Sequence, residues 1–172
     1  MLFSRTSAPS MNSFRKLAVW LSTGFGLGYS PIIPGTIGSL PGIPLVWAIQ
    51  YAGRGLGHEI AFHIAAATAL ALLAIPLCSA GERAAGHKDP HCVVADEYLT
   101  FPISMIGIPF SPLMIAIAFV TNRILDIVKP WPARQIQVLP GGWGITLDDV
   151  FSATYSLALN HLALWALTRA GI

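Results

Sequence analysis

Apolar residues in this chain fall into four long uncharged runs, at residues 17–53, 60–81, 98–122 and 150–168. A helix that crosses a lipid bilayer needs about 20 predominantly apolar residues. The second and fourth runs meet that length almost without polar interruption. Each of these two runs therefore predicts one membrane-spanning helix.

The other two runs contain residues that break helices. The first run is too long and too rich in glycine and proline for one helix, so we expect its helical part to begin near Leu40, with Pro44 in the first turn. The run at 98–122 favours a re-entrant or interfacial hairpin over a straight crossing. The predicted fold is all-α, a small membrane protein with three to four apolar helices. The breakers in the hairpin run are Pro102, Gly107, Pro109 and Pro112.

Composition agrees with a membrane protein. The chain has 172 residues, of which 54% are hydrophobic and 10% are charged, against about 25% charged residues in an average soluble domain. We expect a polar N-terminal tail at 1–16 and a single domain at 17–172. The net charge is +2, and the absence of a Lys/Arg run argues against a nucleic-acid-binding surface. Nothing in these features specifies an oligomeric state.

Charge placement predicts the orientation of the chain. The basic residues Arg5, Arg15 and Lys16 favour a cytoplasmic N-terminus. If the run at 98–122 is a hairpin, the two charged windows, 82–97 and 123–149, both face the cytoplasm. These windows hold seven of the eight acidic residues. Such clustering at the ends of apolar runs asks for a functional explanation.

A glycine-rich segment at 23–42 is the first candidate for chemistry. Glycines allow backbone N–H groups to approach a ligand closely, and Gly35, with the hydroxyls of Thr36 and Ser39, would bind an anion there. The alternative is a tight turn between membrane helices, where small residues are common. The segment matches neither a Walker loop nor a dinucleotide fingerprint.

Acidic residues at the mouths of the apolar runs form the second candidate. Asp96 and Glu97 lie where an unpaired carboxylate is unfavourable, so we expect them to pair with cations or to hold a metal. Hard oxygen ligands suit Mg²⁺ or Mn²⁺ better than Zn²⁺. His87 and His91 flank an Asp-Pro pair and are interpreted as loop residues.

Charged residues spaced three apart form the third candidate. Arg123, Asp126 and Lys129 would share one face of a helix. Asp148 and Asp149 are expected to open the last apolar helix, where an acidic residue is also an ordinary cap. Together, the carboxylates, the two cations and the glycine-rich segments suit a site that binds and cleaves a phosphoryl group.

Four segments of the sequence carry a family resemblance. They are "GFGLGYSPIIPGTIGSLPGIP" at 24–44, "DPHCVVADE" at 89–97, "NRILDIVKPWP" at 122–132 and "GGWGITLDD" at 141–149. With these segments in this order, the chain resembles the phosphatidylglycerophosphatase A family of bacterial membrane phosphatases. The resemblance implies Mg²⁺-dependent hydrolysis of phosphatidylglycerol phosphate to phosphatidylglycerol and phosphate. It also implies an inner-membrane location and a phospholipid substrate drawn from the bilayer.

The resemblance also assigns residues. It implies that Asp96, Asp126 and Asp148 form the metal-holding core and that Glu97 or Asp149 is a further ligand or the general base. The expected catalytic set is Asp96, Glu97, Asp126 and Asp149, and the metal set is Asp96, Glu97, Asp126, Asp148 and Asp149. The expected phosphate-binding set is Arg123, Lys129, Gly35, Thr36 and Ser39. Departures from the family pattern fall at Asn122 and Thr100.

Missing motifs limit the mechanism. The chain has no Cys-x5-Arg, Asp-x-Asp or Lys-x6-Arg-Pro sequence. We therefore expect metal-assisted attack by water, with a covalent aspartyl intermediate as an open alternative.

Tyr98, Trp131 and Trp143 are expected in the interfacial aromatic belt.

Two other classes of function compete with a phosphatase. A small multi-pass ion or proton transporter would use Asp96, Asp126 and His63 as relays, and it predicts acidic residues within the spans. A non-catalytic membrane assembly module would leave the clustered carboxylates unexplained.

Overall fold

A computed structural model describes residues 12–171, and this part of the chain contains helices and no strands. The prediction of an all-α fold is confirmed. Residues 1–11 of the predicted polar tail lie outside the described residues, and the first helix begins at Ser13, where the Asn12 side chain accepts a hydrogen bond from Arg15 N. The helices are α1 (Ser13–Ser22), α2 (Pro34–Gly38), α3 (Gly42–Gly53), α4 (Glu59–Ala85), α5 (Ala95–Thr100), α6 (Pro112–Val128), α7 (Ala133–Ile136) and α8 (Gly142–Arg169), with 3₁₀ turns at Leu27–Tyr29 and Phe101–Met105.

The two longest helices, α4 and α8, are long and apolar enough to cross a membrane. They contain the two runs that predicted spanning helices. The N-terminal end of α8 packs against the C-terminal half of α4, where the Gly142 amide donates to Ser79 Oγ at 2.9 Å. A side chain at Gly142 would collide with the Ile75 carbonyl, so this glycine permits the close approach of the two helices.

The run at 98–122 is broken, as predicted. Helix α5 passes into a 3₁₀ turn, the chain reverses around Gly107 at φ 71°, and Ser111 caps the start of α6 by accepting from Met114 N at 3.2 Å. Because of this reversal, the start of α5 lies beside the end of α6. The depth of this hairpin in a membrane stays a prediction.

Side-chain hydrogen bonds fix the register of α6 against the antiparallel α8. Thr121 Oγ1 lies 2.8 Å from Ser156 Oγ and donates to Asn160 Oδ1 at 2.7 Å. One turn further along α6, Ser152 Oγ contacts the Leu125 carbonyl at 3.4 Å. Hydrogen bonds of this kind between apolar helices fix which residues lie opposite each other, which apolar packing alone does not do. Continuing this register by one more turn brings Lys129 beside Asp148.

The core consists of two apolar clusters. One joins α1, α4, α5 and α8 and includes Cys78 and Tyr98, and the other surrounds Phe101 and Met105 beneath α3 and α6. Tyr98 is only 4% exposed, and its hydroxyl donates to the Leu21 carbonyl at 3.0 Å. Its assignment to an interfacial belt is therefore wrong, because it belongs to the core, whereas Trp131 and Trp143 are exposed.

Candidate functional site

Five carboxylates from three helices meet at one end of the molecule. Asp96 and Glu97 come from the start of α5, Asp126 comes from the last turn of α6, and Asp148 and Asp149 come from α8. All five line one pocket of about 390 Å³, together with Arg123 and Lys129. The structure thus brings together every charged residue of the predicted site.

Arg123 links two of these carboxylates. Its Nη1 donates to Glu97 Oε2 at 2.6 Å, and its Nη2 donates to Asp126. Ser39 supports this arrangement, since its hydroxyl accepts from Arg123 Nη1 at 2.5 Å and donates to Glu97 at 2.7 Å. Burial disfavours the charged form of Arg123, but the charges of Glu97 and Asp126 outweigh that effect and raise its pKa.

Lys129 departs from the predicted stripe. Helix α6 ends at Val128, and Lys129 adopts the left-handed conformation at φ 49°. The reason is local, because Pro130 follows and disfavours helical geometry in the residue before it. The prediction of a shared helix face is right for Arg123 and Asp126 and wrong for Lys129.

The new position of Lys129 gives it another partner. Its Nζ donates to Asp148 Oδ2 at 2.6 Å, and Gln137 Nε2 donates to the same oxygen at 2.7 Å. Burial opposes the charge on Lys129, yet its contact with Asp148 raises its pKa overall. Sequence reasoning missed Gln137, because it lies between α7 and α8 and no motif points to it.

Asp148 and Asp149 do not open α8 as predicted. The helix begins six residues earlier, at Gly142, so the two carboxylates lie in its second turn. In the added turn, Gly142 lies against α4 and Gly144 against the residue 137–139 backbone, where a side chain would not fit. Helix capping therefore does not explain these buried aspartates.

Buried charge is poorly compensated at Asp96 and Asp149. Burial, and then the charge of Glu97, raises the pKa of Asp96 well above its usual range. Asp149 Oδ2 is buried and has no hydrogen-bond partner within residues 12–171. An orphaned buried carboxylate oxygen calls for a proton, a water or a cation.

The donor chemistry of the pocket fits a hard divalent cation. Carboxylate oxygens are preferred ligands of Mg²⁺, and the unpartnered Asp149 oxygen lies in the same pocket as Asp96. Within the described residues, no three His, Cys, Asp or Glu side chains are grouped closely enough to hold a metal ion. Asp126 and Asp148 instead point an oxygen at Arg123 and Lys129, respectively.

The glycine-rich segment packs tightly at one position and borders the pocket at another, and its binding of an anion stays a prediction. A Cβ atom on Gly38 would lie 2.5 Å from Val94 Cβ, so this glycine allows tight packing. A Cβ atom on Gly35 would lie 2.5 Å from Glu97 Oε1, so Gly35 sets the space around a site carboxylate. Gly35 and Thr36 line the pocket, whereas Ser39 is buried behind it against Arg123 and Glu97.

Further pocket residues were not found from the sequence. Asp89 and His91, in the loop between α4 and α5, line the pocket, as do the apolar residues Ile33 and Ile127. Among the described residues, four non-glycine positions have a positive φ, and Ile33, Asp89 and Lys129 are three of them. Strained backbone commonly collects at functional sites, because the surrounding structure must hold it there.

His63, the third relay residue of the transporter alternative, lies elsewhere. It is buried in α4, and its Nε2 lies 3.0 Å from the Pro102 carbonyl. It lines a different cavity, which contains none of the five site carboxylates.

Comparison with known proteins assigns the chain to a family. The sequence profile of the family Phosphatidylglycerophosphatase A matches residues 20–164. The chain belongs to this family. An Escherichia coli phosphatidylglycerophosphatase A is 32% identical to it over 82% of this chain and 80% of that protein. The corresponding Haemophilus influenzae protein is 36% identical over 80% of this chain and 82% of its own length.

A third relative carries a different name. A Bacteroides thetaiotaomicron protein with the provisional name phosphatidylinositol-3-phosphatase is 33% identical over 88% of this chain and 96% of that protein. No solved structure matches the chain significantly. The family resemblance noted in the sequence is confirmed, and its members named here are phosphatases.

Proposed function

We propose that this protein is a phosphatase that hydrolyses the terminal phosphomonoester of phosphatidylglycerol phosphate, releasing phosphatidylglycerol and inorganic phosphate. One observation carries the proposal: residues from three helices, far apart in sequence, converge on one pocket that pairs five carboxylates with two cations. The names of the relatives from Escherichia coli and Haemophilus influenzae supply the substrate.

Arg123 and Lys129 are the proposed phosphate-binding groups. The planar guanidinium of Arg123 can donate two parallel hydrogen bonds to phosphate oxygens, and Glu97, Asp126 and Ser39 hold its orientation. Lys129 adds a point charge to the same pocket and is held by Asp148. Both cations are thus oriented before a substrate enters, which favours charge stabilisation in the transition state.

Asp149 is the proposed general base. Glu97, the other candidate, already accepts hydrogen bonds from Arg123 and Ser39, whereas Asp149 keeps an unpartnered oxygen. Asp149 would take a proton from water as the water oxygen bonds to phosphorus. The P–O bond to the glycerol breaks, and Asp149 returns the proton to the leaving oxygen.

Mg²⁺ is the proposed cofactor, with Asp96, Asp126 and Asp148 as its holding residues and Glu97 and Asp149 as further candidates. When bound, it neutralises phosphate charge and activates water. Asp96 must be deprotonated to serve as a ligand, and its raised pKa means that a cation and a proton compete for it. Mg²⁺ should therefore raise the unfolding temperature more at higher pH, and less in Asp149→Asn than in the wild type.

The proposed location is the bacterial inner membrane, with the pocket on the cytoplasmic side. The C-terminal end of α4 and the N-terminal end of α8 lie at the same end of the molecule as the pocket, and the rest of each helix extends away from it. Arg83 is in the last turn of α4, and Lys88 follows shortly after that helix. Basic residues favour the cytoplasmic side.

The decisive experiment is phosphate release by purified protein in detergent, with and without Mg²⁺, comparing the wild type with Asp126→Asn. Phosphatidylglycerol phosphate, phosphatidate and phosphatidylinositol 3-phosphate serve as substrates, the last because of the Bacteroides relative. We expect Mg²⁺-dependent release from phosphatidylglycerol phosphate that the substitution abolishes. Folded wild-type protein that releases no phosphate from any of these lipids would refute the proposal and favour the transporter.

A further inference from the structure

One wall of the charged pocket is apolar and open. Ile33 and Ile127 both line this pocket, and they are 60% and 73% exposed. The same pocket is lined by buried charged residues, which include Arg123. A phosphate-binding site with exposed apolar residues on part of its rim differs from one built for a freely soluble phosphate ester, whose surroundings would be polar throughout.

Ile127 ends an apolar stripe along the outer face of α6. The exposed residues of this helix recur at helical spacing, and they include no charged residue. From the first to the last of them, the stripe is about 21 Å long at 1.5 Å per residue, which is two-thirds of a hydrocarbon layer of about 30 Å. The stripe residues are Leu113, Ala116, Val120, Ile124 and Ile127.

The stripe leads directly to the site. Arg123 and Ile127 are four residues apart, so they are neighbours on the surface of α6. Across the pocket, Arg123 Nη1 contacts the Gly35 carbonyl at 3.4 Å, two residues after Ile33. Ile33 and Ile127 therefore flank the place where α2 meets α6.

Ile33 occupies this place in an unfavourable backbone conformation. Its φ of 44° and ψ of 58° lie in the left-handed region, which β-branched residues rarely adopt. Glycine would adopt that conformation without strain. A strained isoleucine at an exposed position is consistent with a use for its side chain outside the core.

We propose that Ile33 and Ile127 form a lateral opening through which the glycerol backbone and acyl chains of the phospholipid substrate leave the pocket toward the bilayer. This inference rests on the proposed function and adds to it the part of the substrate that the carboxylates and cations do not contact. A phospholipid fits this path because the apolar stripe of α6 begins at the edge of the pocket. Its phosphate would bind the charged residues of the pocket, and its acyl chains would follow the stripe, a helix face suited to hydrocarbon. It follows that acyl chains contribute to substrate selection.

The test measures chain-length selectivity. Initial rates are compared for long-chain (dioleoyl) and short-chain (dihexanoyl) phosphatidylglycerol phosphate, and the ratio of their kcat/KM values is taken for each variant. In Ile33→Gly and Ile127→Ser, we expect this ratio to fall by about tenfold, as loss of one apolar contact predicts. Leu72→Ser is the matched control, because Leu72 is an exposed apolar residue of α4 that lines none of the cavities described here.

Ile33→Gly separates this effect from unfolding. Because glycine relieves the left-handed strain, the unfolding temperature should not fall, even as long-chain selectivity does. A wild-type enzyme that hydrolyses both substrates equally well would overturn the proposed opening while leaving the phosphatase activity intact. The proposed opening would also be overturned if Leu72→Ser lost as much long-chain selectivity as the isoleucine variants, or if both isoleucine variants kept the selectivity of the wild type. Absence of wild-type activity on both lipids would instead overturn the proposed function and this inference with it.

Discussion

Two cavities of similar size differ sharply in how their charges are held. The site pocket has a volume of about 390 Å³. A second cavity of about 350 Å³ lies between the end of α3, the start of α4 and the turn at Gly107. Both contain acidic, basic and histidine side chains. Volume and the presence of charged residues therefore do not distinguish them.

In the second cavity, polar groups are either satisfied or in solvent. His63 contacts the Pro102 carbonyl, and Gln50 Nε2 donates to the Ile108 carbonyl at 2.8 Å. Arg54 and Glu59 are exposed, and the Arg54 guanidinium lies 5.9 Å from the centre of the Tyr51 ring. Such groups are stable where they are and need no ligand.

In the site pocket, several charged groups are buried together and are only partly satisfied. Asp96, Asp148 and Asp149 are all buried, and one Asp149 oxygen has no partner in the described part of the chain. Removing charges from water is unfavourable unless a partner compensates. Incompletely compensated buried charge, rather than cavity size, therefore distinguishes the proposed functional end of this fold.

The largest effect is expected from Arg123→Met. The substitution leaves Glu97 and Asp126 without their shared cation, so we expect the free energy of unfolding to fall by about 3–5 kcal/mol. Loss of a preorganised phosphate ligand should lower kcat by about 10²–10³-fold. Phosphate release and thermal unfolding measure the two effects.

Arg123→Lys is the control for this substitution. Lysine keeps the charge but lacks the planar fork that bridges the two carboxylates, so an intermediate loss of activity is expected. If Arg123→Met retained more than a tenth of wild-type activity while folded, Arg123 would not be a phosphate ligand.

A smaller effect is expected from Gly35→Ala. The new methyl group would lie 2.5 Å from Glu97 Oε1, so the carboxylate that orients Arg123 must move. A displacement of about 1 Å in an active site lowers activity by about 10²-fold. Adding Glu97→Asp shortens the crowded side chain, and the double variant should recover part of the kcat lost in Gly35→Ala. If the two substitutions proved simply additive, Gly35 would not act through Glu97.

Much of this site could be predicted from the sequence, because its residue types are unusual at the ends of apolar runs. Charge clustering and the family motifs identified Asp96, Arg123 and Asp126, and helical spacing placed Arg123 beside Asp126. The uncharged runs likewise predicted α4 and α8, since length and hydropathy alone define such helices.

The rest depended on tertiary contacts that sequence patterns do not encode. Pro130 ends α6 before Lys129, but the partner of Lys129, Asp148, is determined by the antiparallel register of α6 and α8. Helix α8 begins at Gly142, where α4 is close enough to exclude a side chain, and this contact cannot be read from the sequence. Gln137, Ile33 and Ile127 belong to no recognisable chemical pattern, and only the folded pocket reveals them.

Asp96→Asn is expected to change the pH dependence of unfolding as well as the activity. In the folded protein, burial raises the pKa of Asp96, so between the unfolded and folded pKa values the native state binds more protons than the unfolded state. Stability therefore falls as pH rises through this range, by about 1.4 kcal/mol per unit of pKa difference once both are deprotonated. With Mg²⁺ present, Asp96→Asn should lose activity. In EDTA, it should unfold at a higher temperature than wild type at neutral pH and show a weaker dependence of unfolding on pH. Equal pH dependence in both proteins would contradict this account of Asp96.

The smallest effect is expected in the second cavity, from Arg54→Ala. Arg54 is exposed and contacts Tyr51 through a cation–π interaction, which contributes about 0.5–1 kcal/mol at exposed sites. Stability should fall by no more than that amount, and phosphate release should stay within about twofold of wild type, as for surface substitutions away from special features.

This prediction gives the comparison its strongest test, because Arg54 and Arg123 are the same residue type, each beside a cavity that contains at least one carboxylate and a histidine. If burial and incomplete compensation are what make a charged cavity functional, only the buried arginine fixed between two half-buried carboxylates should matter for activity. A loss of activity in Arg54→Ala comparable to that in Arg123→Met, measured on protein with unchanged unfolding temperature, would mean that the second cavity contributes to the reaction. Charge burial would then be the wrong criterion for distinguishing the two ends of the molecule.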